Sequence, residues 1–126
     1  MYRVGNRKAN WYGVVLMSYI PKQGDIIILD FDPQTGHEQK GRRPALITSN
    51  EQFHLRTNLA MVCPITNSIS GFPMHVLLDS RTNTRGEIMC EQAKCLDIKA
   101  RNASFKESVP DDIIDEAIDI ICAFIE

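Results

Sequence analysis

No run of apolar residues in this 126-residue chain approaches the ~20 residues a membrane-spanning helix needs, which argues against an integral helical membrane protein. The four cysteines, Cys63, Cys90, Cys95 and Cys122, never stand at C-x-x-C spacing, so zinc-ribbon and dithiol redox chemistry have no framework here. We expect reduced, mostly buried thiols of a cytoplasmic protein. Neither sign of charge dominates: the formal net charge of −2 speaks against a general polyanion binder. The start of the sequence is not expected to be a secretory leader. The opening MYRVGNRKANWYGVVL is basic at one end and apolar at the other, but the apolar part is short, is broken by Gly13 and has no small-x-small cleavage site. Residues 1–16 are therefore expected to be an N-terminal arm or upstream extension holding the single tryptophan, Trp11, and residues 17–126 one domain. There is no internal repeat and no low-complexity stretch.

What is present fits a small globular protein, with 44% hydrophobic and 24% charged residues. The charge is unevenly placed. Asp111, Asp112, Asp115, Glu116, Asp119 and Glu126 crowd the last sixteen positions without a base, leaving the other 110 residues with 14 basic against 10 acidic groups, a balance of +4. A locally basic face is thus compatible with the acidic total. From Met17 onward, strand and turn alternate. GDIIILDF (24–31) is a β-branched run stopped by Asp32-Pro33; Arg43–Ser49, Leu59–Thr66, Met74–Asp79, Gly86–Glu91 and Lys94–Ile98 read as further strands. After Pro110 the period becomes helical. Ile113, Ala117, Ile120, Ile121 and Phe124 share a stripe flanked by Ile114, Ile118 and Ile125, and Ser108 with Asp111 marks a helix start. One apolar stripe covers one sheet. The expected fold is mainly β, a small SH3-like antiparallel barrel or half-barrel with a C-terminal α-helix packed on it.

Two polar loops flank the central strands: residues 32–42, which contain TGHEQKGR, and residues 67–73 (NSISGFP). If both open at one end of the sheet, Glu38, Gln39, Arg43 and Thr66 come together. Cleaving RNA without a metal requires a base for the 2′-hydroxyl proton, a cation or donors for the phosphorane charge, and an acid for the leaving 5′-oxygen. Glu38 suits the base, Arg43 the phosphate fork, Thr66 a hydroxyl donor and His37 the acid. Gln39, Asn67 and Ser68 can read base edges; Phe72 and His37 can stack on bases. Lys40 and Arg42, with Arg81 or Arg85, would make this end basic. No Cys, His or carboxylate cluster has metal-ligand spacing, and no cofactor is implied.

The segments GDIIILDFDPQTGHEQKGRRPALITS, PITNS and CEQAKCLDIKAR, followed by an acidic-faced helix, resemble the MazF/PemK toxin family from about Ile20 to Glu126. The G-x-E-Q-x-G-x-R-P segment, Gly36 to Pro44, carries most of the likeness. The resemblance implies a CcdB/MazF-type barrel and a homodimer. It also implies metal-independent, sequence-specific cleavage of single-stranded mRNA to 2′,3′-cyclic phosphate and 5′-hydroxyl ends, with neutralisation by a cognate antitoxin protein. By position it puts the essential arginine on Arg43, the essential threonine on Thr66, and the loop residues on His37, Glu38 and Gln39. An Arg-x-Asp pair found on a later strand in the PemK-like branch falls on Met89 and Glu91, which leaves Arg43 as the main cation and Glu91 as an RNA-binding candidate or a partner of Lys94 or Arg43. The same fold also resembles CcdB, a gyrase poison without catalysis, but its Trp-Gly-Ile end is absent from Cys122-Ala123-Phe124-Ile125-Glu126. An SH3-like binding module without chemistry, with Arg43 merely paired to an acid, is the third reading.

Overall fold

In the computed structural model the described residues are 19–31 and 41–126. Residues 1–16, and the candidates His37, Glu38, Gln39 and Lys40, lie outside them. The chain forms β1 (Asp25–Asp30), β2 (Arg42–Ile47), α1 (Glu51–Thr57), β3 (Ala60–Thr66), β4 (His75–Leu77), β5 (Glu87–Met89), a 3-10 turn (Cys90–Gln92), β6 (Lys94–Leu96), β7 (Ser104–Ser108) and α2 (Asp111–Ile125). All pairings are antiparallel, in the order β4-β5-β3-β2-β1-β7. β6 lies against the first half of β3, whose last two residues pair with β5. One long strand thus supports two short ones, with the 3-10 turn between them. Among the described residues the sheet curls like a barrel without closing, since β4 and β7 remain edges.

β1 reads DIIILD because both of its faces are covered, and a doubly covered strand is apolar without alternation. Ile26, Leu46, Cys63, Ile65, Val76 and Ile88 join Ile113, Ile114 and Ala117 of α2 in one core. Ile27, Leu29, Ala45, Ile47, Ala60, Val62 and Ile98 form the other, inside the curl. The helix stripe is buried only through its first half. Ile118, Ile120 and Ile121 pack at the margin, whereas Phe124 is 45% and Ile125 78% exposed.

Several local expectations need correction. Ser108 does not cap α2: its hydroxyl donates to Asp25 Oδ1 at 3.2 Å, and the helix starts from Pro110 without a side-chain cap. The strand expected over Gly86–Glu91 ends at Met89, where the chain enters the 3-10 turn, so Glu91 sits on a turn. Two elements were not anticipated. α1 buries no residue and so has no apolar stripe, but Asn50 Oδ1 accepts from Phe53 N at 2.9 Å and Asn58 closes the helix in the left-handed region, φ 62. β7 (SFKES) is mostly exposed and pairs only with β1. Of the cysteines, Cys63 and Cys90 are buried thiols, while Cys95 and Cys122 are exposed ones.

Candidate functional site

Strand register gathers the site. β2 and β3 pair Ala45 with Pro64, Leu46 with Cys63 and Ile47 with Val62. Continued two residues toward the strand ends, this register sets Arg43 opposite Thr66, on the face that carries Ala45, Ile47 and Val62. Thr66 in turn pairs with Glu87, and Glu87 with Leu77. Arg43, Thr66 and Glu87 therefore form a polar row across three strands at the end where the interior core stops.

Arg43 is exposed, lies beside Leu29 of β1, and takes part in no ion pair among the described residues. Thr66 is half-buried, and its Oγ1 accepts from Ser68 N at 3.2 Å. That bond uses a lone pair, leaving the hydroxyl proton free for a phosphate oxygen. The same bond folds Asn67 and Ser68, both exposed, over the end of β3. Gly86 makes the close approach possible: at φ +118 it lies under the Thr66 carbonyl, where a Cβ would meet the oxygen at 1.9 Å.

Other candidates fall elsewhere. Arg42 alternates with Arg43, so it points to the opposite face; its Nη1 donates to Asp30 Oδ1 at 3.1 Å. Asp30 also accepts from Asn102 Nδ2 at 2.8 Å, and the two bonds, that from Asn102 first, hold its carboxyl below the usual carboxylate range. Arg42 belongs to a brace between β1 and the turn before β7, not to the row of Arg43. Arg81 is similarly engaged, by Asp79 and by Asp112 of α2 at 2.8 Å. Glu91 pairs with neither Lys94 nor Arg43: its Oε2 meets His75 Nε2 at 3.1 Å.

His75 and Glu87 were not singled out in the sequence. Glu87 is 2% exposed and accepts from Ser70 N (3.1 Å), Ser70 Oγ (3.0 Å), Gly71 N (2.9 Å) and His75 Nδ1 (2.7 Å). The His75 bond, followed by that from Gly71, brings its pKa down to about 2. Burial works to lower the pKa of His75, but the hydrogen bonds to Glu87 and then Glu91 outweigh it and raise it. The Phe72 ring, 46% exposed, stands edge-on to the imidazole with centroids 5.0 Å apart. A buried acid opposite Thr66 was visible only as one glutamate in a short apolar strand, GEIMC. The signal available was its register with Thr66, which needs the pairing. Lys94 is the other addition. It pairs with Val62, on the same face as Thr66, and its Nζ lies 5.5 Å from the centre of the Phe31 ring. Among the described residues no group of three or more His, Cys, Asp or Glu side chains is arranged to hold a metal ion.

Among the described residues the arrangement is an open, curled antiparallel sheet with a terminal helix and a polar row at one end. A family model described as PemK-like, MazF-like toxin of type II toxin-antitoxin system matches residues 22–125, and the chain belongs to that family. It is 35% identical over 91 residues to the endoribonuclease toxin MazF of Escherichia coli K12, covering 72% of this chain and 81% of that protein. It is 36% identical over 103 residues to the Escherichia coli endoribonuclease PemK, covering 77% and 76%. Among solved structures, the MazE-MazF crystal structure (Form-II) from Deinococcus radiodurans superposes with a TM-score of 0.78 at 32% identity, over 86% of this chain and 97% of that one.

Proposed function

We propose that the protein is a cytoplasmic, sequence-specific endoribonuclease toxin that cuts single-stranded mRNA without a metal ion, leaves 2′,3′-cyclic phosphate and 5′-hydroxyl ends, and is held in check by a cognate antitoxin. Membership of a family whose matched relatives are endoribonucleases supports the enzyme class. The observation that supports the mechanism is the β2–β3 register, which, continued two residues beyond Ala45 and Pro64, would set Arg43 beside Thr66 on an open sheet end. Arg43 neutralises the phosphorane charge as a fork on two oxygens, and Thr66 donates its hydroxyl to the same group. Glu38, which the resemblance puts in the loop before β2, takes the 2′-hydroxyl proton, with His37 as proton donor to the leaving oxygen. Gln39, Lys40, Asn67, Ser68 and Phe72 line the path of the strand. The domain of residues 17–126 works as a homodimer, and the exposed end of α2, with Phe124 and Ile125, is apolar enough to serve such a contact. The antitoxin offers an acidic, poorly ordered tail that competes with RNA for the cationic end.

The test is incubation of the purified protein with a long RNA, with and without EDTA, followed by mapping of cut sites and end groups. Cleavage that survives EDTA and falls at least ~10²-fold in both Arg43→Ala and Thr66→Ala is expected. Activity abolished by EDTA and restored by magnesium would sink the metal-free mechanism. Near-normal rates in either variant would sink the site.

A further inference from the structure

The loop between β3 and β4 has little packing of its own: Ser68, Ile69, Ser70, Gly71 and Phe72 are all exposed. Its shape comes from one buried carboxylate. Glu87 takes the amides of Ser70 and Gly71 and the Ser70 hydroxyl; that hydroxyl in turn accepts from Phe72 N at 3.2 Å. Gly71 at φ +73 supplies the left-handed turn this requires, and His75 N closes it on the Phe72 carbonyl at 2.9 Å. A buried carboxylate facing a groove that must receive phosphates is unfavourable unless it is compensated, and the compensating group is His75. Both imidazole nitrogens sit within hydrogen-bond distance of carboxylates, 2.7 Å to Glu87 and 3.1 Å to Glu91. A neutral imidazole can donate only once, so this arrangement holds the imidazolium. When the proton leaves, one contact becomes lone pair against lone pair. The Glu91 side chain, 34% exposed, is the partner that water can replace; the Glu87 side chain, 3% exposed, is not.

We propose that His75 is a positioning residue for substrate selection: as an imidazolium strapped between Glu87 and Glu91 it fixes Phe72 and the Glu91 carboxylate at the RNA groove, and so sets which nucleotides are accepted without taking part in bond cleavage. The inference rests on the endoribonuclease reading and on the side of the sheet already given to Arg43 and Thr66. The ionisable groups around the imidazole are Glu87 on β5, Glu91 on the 3-10 turn and the Cys90 thiol; Glu116 of α2 acts on Cys90. Because the folded pKa of His75 is raised above its ordinary 6.5, the strap is complete below that pH and comes undone as pH rises through the folded value.

The experiment cuts a randomised single-stranded RNA with wild type, His75→Gln, His75→Ala and Glu87→Gln at several pH values, with kcat and KM measured on the favoured site. His75→Gln and His75→Ala should keep kcat within about threefold while KM rises, and discrimination at one position beside the cut falls, each by about tenfold, the factor carried by one hydrogen bond to a charged group. Wild type should drift toward the variants' preference as pH climbs, and the His75 variants should show no such drift. In parallel, nitrogen NMR of the wild type should find both imidazole nitrogens protonated at and below pH 6.5, with the Ser70, Gly71 and Phe72 amides shifting as His75 titrates. Variants that melt earlier but keep wild-type KM and preference would overturn the proposal. So would loop amides indifferent to the titration, a readout that needs no variant to fold. A kcat collapse like that of Arg43→Ala would overturn it too, by making His75 catalytic. A wild type that cuts no RNA would refute the enzymatic reading instead, and the strap would then stand or fall on the amide shifts.

Discussion

Replacing Gly86 by alanine probes the packing under Thr66 directly. The new Cβ would stand 1.9 Å from the Thr66 carbonyl oxygen, 2.8 Å from its carbon and 3.3 Å from Asn67 Cα. All three obstacles are backbone, so no rotamer change relieves them. Two costs combine. Holding a non-glycine residue at φ +118 costs ~1–3 kcal/mol, and pushing the end of β3 off its neighbour costs a further ~1–3 kcal/mol on the scale of overpacked cores. The Gly86 carbonyl also accepts from Leu78 N at 2.9 Å, which limits how far the turn can retreat. The total of about 2–6 kcal/mol is a large part of the ~5–15 kcal/mol that stabilises an ordinary domain. Gly71→Ala is the control, because it has positive φ (+73) but nothing within 4 Å, leaving only a backbone cost of ~1–2 kcal/mol. Urea unfolding of the two variants, compared at equal m-value, should separate them by on the order of 2 kcal/mol. RNA cleavage by the folded fraction should suffer in Gly86→Ala, since the strand end that moves carries Thr66. Equal destabilisation of the two would refute the claim that the Thr66 carbonyl rests on Gly86.

Other outcomes follow from the same geometry. Glu87, with its pKa near 2 against an ordinary 4.5, contributes stability that is present above pH 4.5 and lost as the pH falls toward 2; thermal melts across that window should show an acid limb that Glu87→Gln flattens. Asn50→Ala removes the only side-chain cap of α1 and should cost about 1 kcal/mol, seen as faster amide exchange in residues 51–57 with little change at Thr66. Light scattering at micromolar concentration should report twice the 14.3 kDa chain mass, and a lone monomer there would contradict the dimer. A catalytically dead Arg43→Ala protein should bind either a non-cleavable RNA or an acidic antitoxin tail but not both, with both affinities weakening as salt is raised.

Strongly patterned segments were legible in the chain alone. β1, β2 and β3 announce themselves through β-branched runs, and α2 through its stripe of isoleucines. The elements that escaped notice are those whose stability comes from single polar bonds: α1 rests on Asn50 and Asn58, and β7 on its ladder with β1. Arg43 and Thr66 stand out in the sequence because a motif marks one and a strand end the other, and cleavage by their alanine variants tests the assignment. Arg42 adjoins Arg43 in a run of basic letters, but neighbours on a strand face opposite ways, and its ion pair is with Asp30. Glu87 and His75, twelve residues apart, become a pair only when β4 and β5 are laid side by side. Nothing in the linear order of MHVLLD and GEIMC states that pairing.

The hairpin neck between β1 and β2 has an evolutionary meaning. Phe31 N donates to the Gly41 carbonyl at 2.9 Å, and just below it Asp30 holds both Arg42 and Asn102. Chain entering and leaving the intervening segment is thereby clamped on the scaffold side, while Arg43 and Thr66 are positioned by ladder register beneath the clamp. Lengthening such a segment twofold costs only ~0.6 kcal/mol of closure entropy. Sequence between residues 32 and 40 can therefore change in length and composition around His37 and Glu38, the two positions the proposed chemistry needs, while Arg43 and Thr66 keep their spacing. A lineage built this way can vary the rest of that segment without disturbing the strands that hold Arg43 and Thr66.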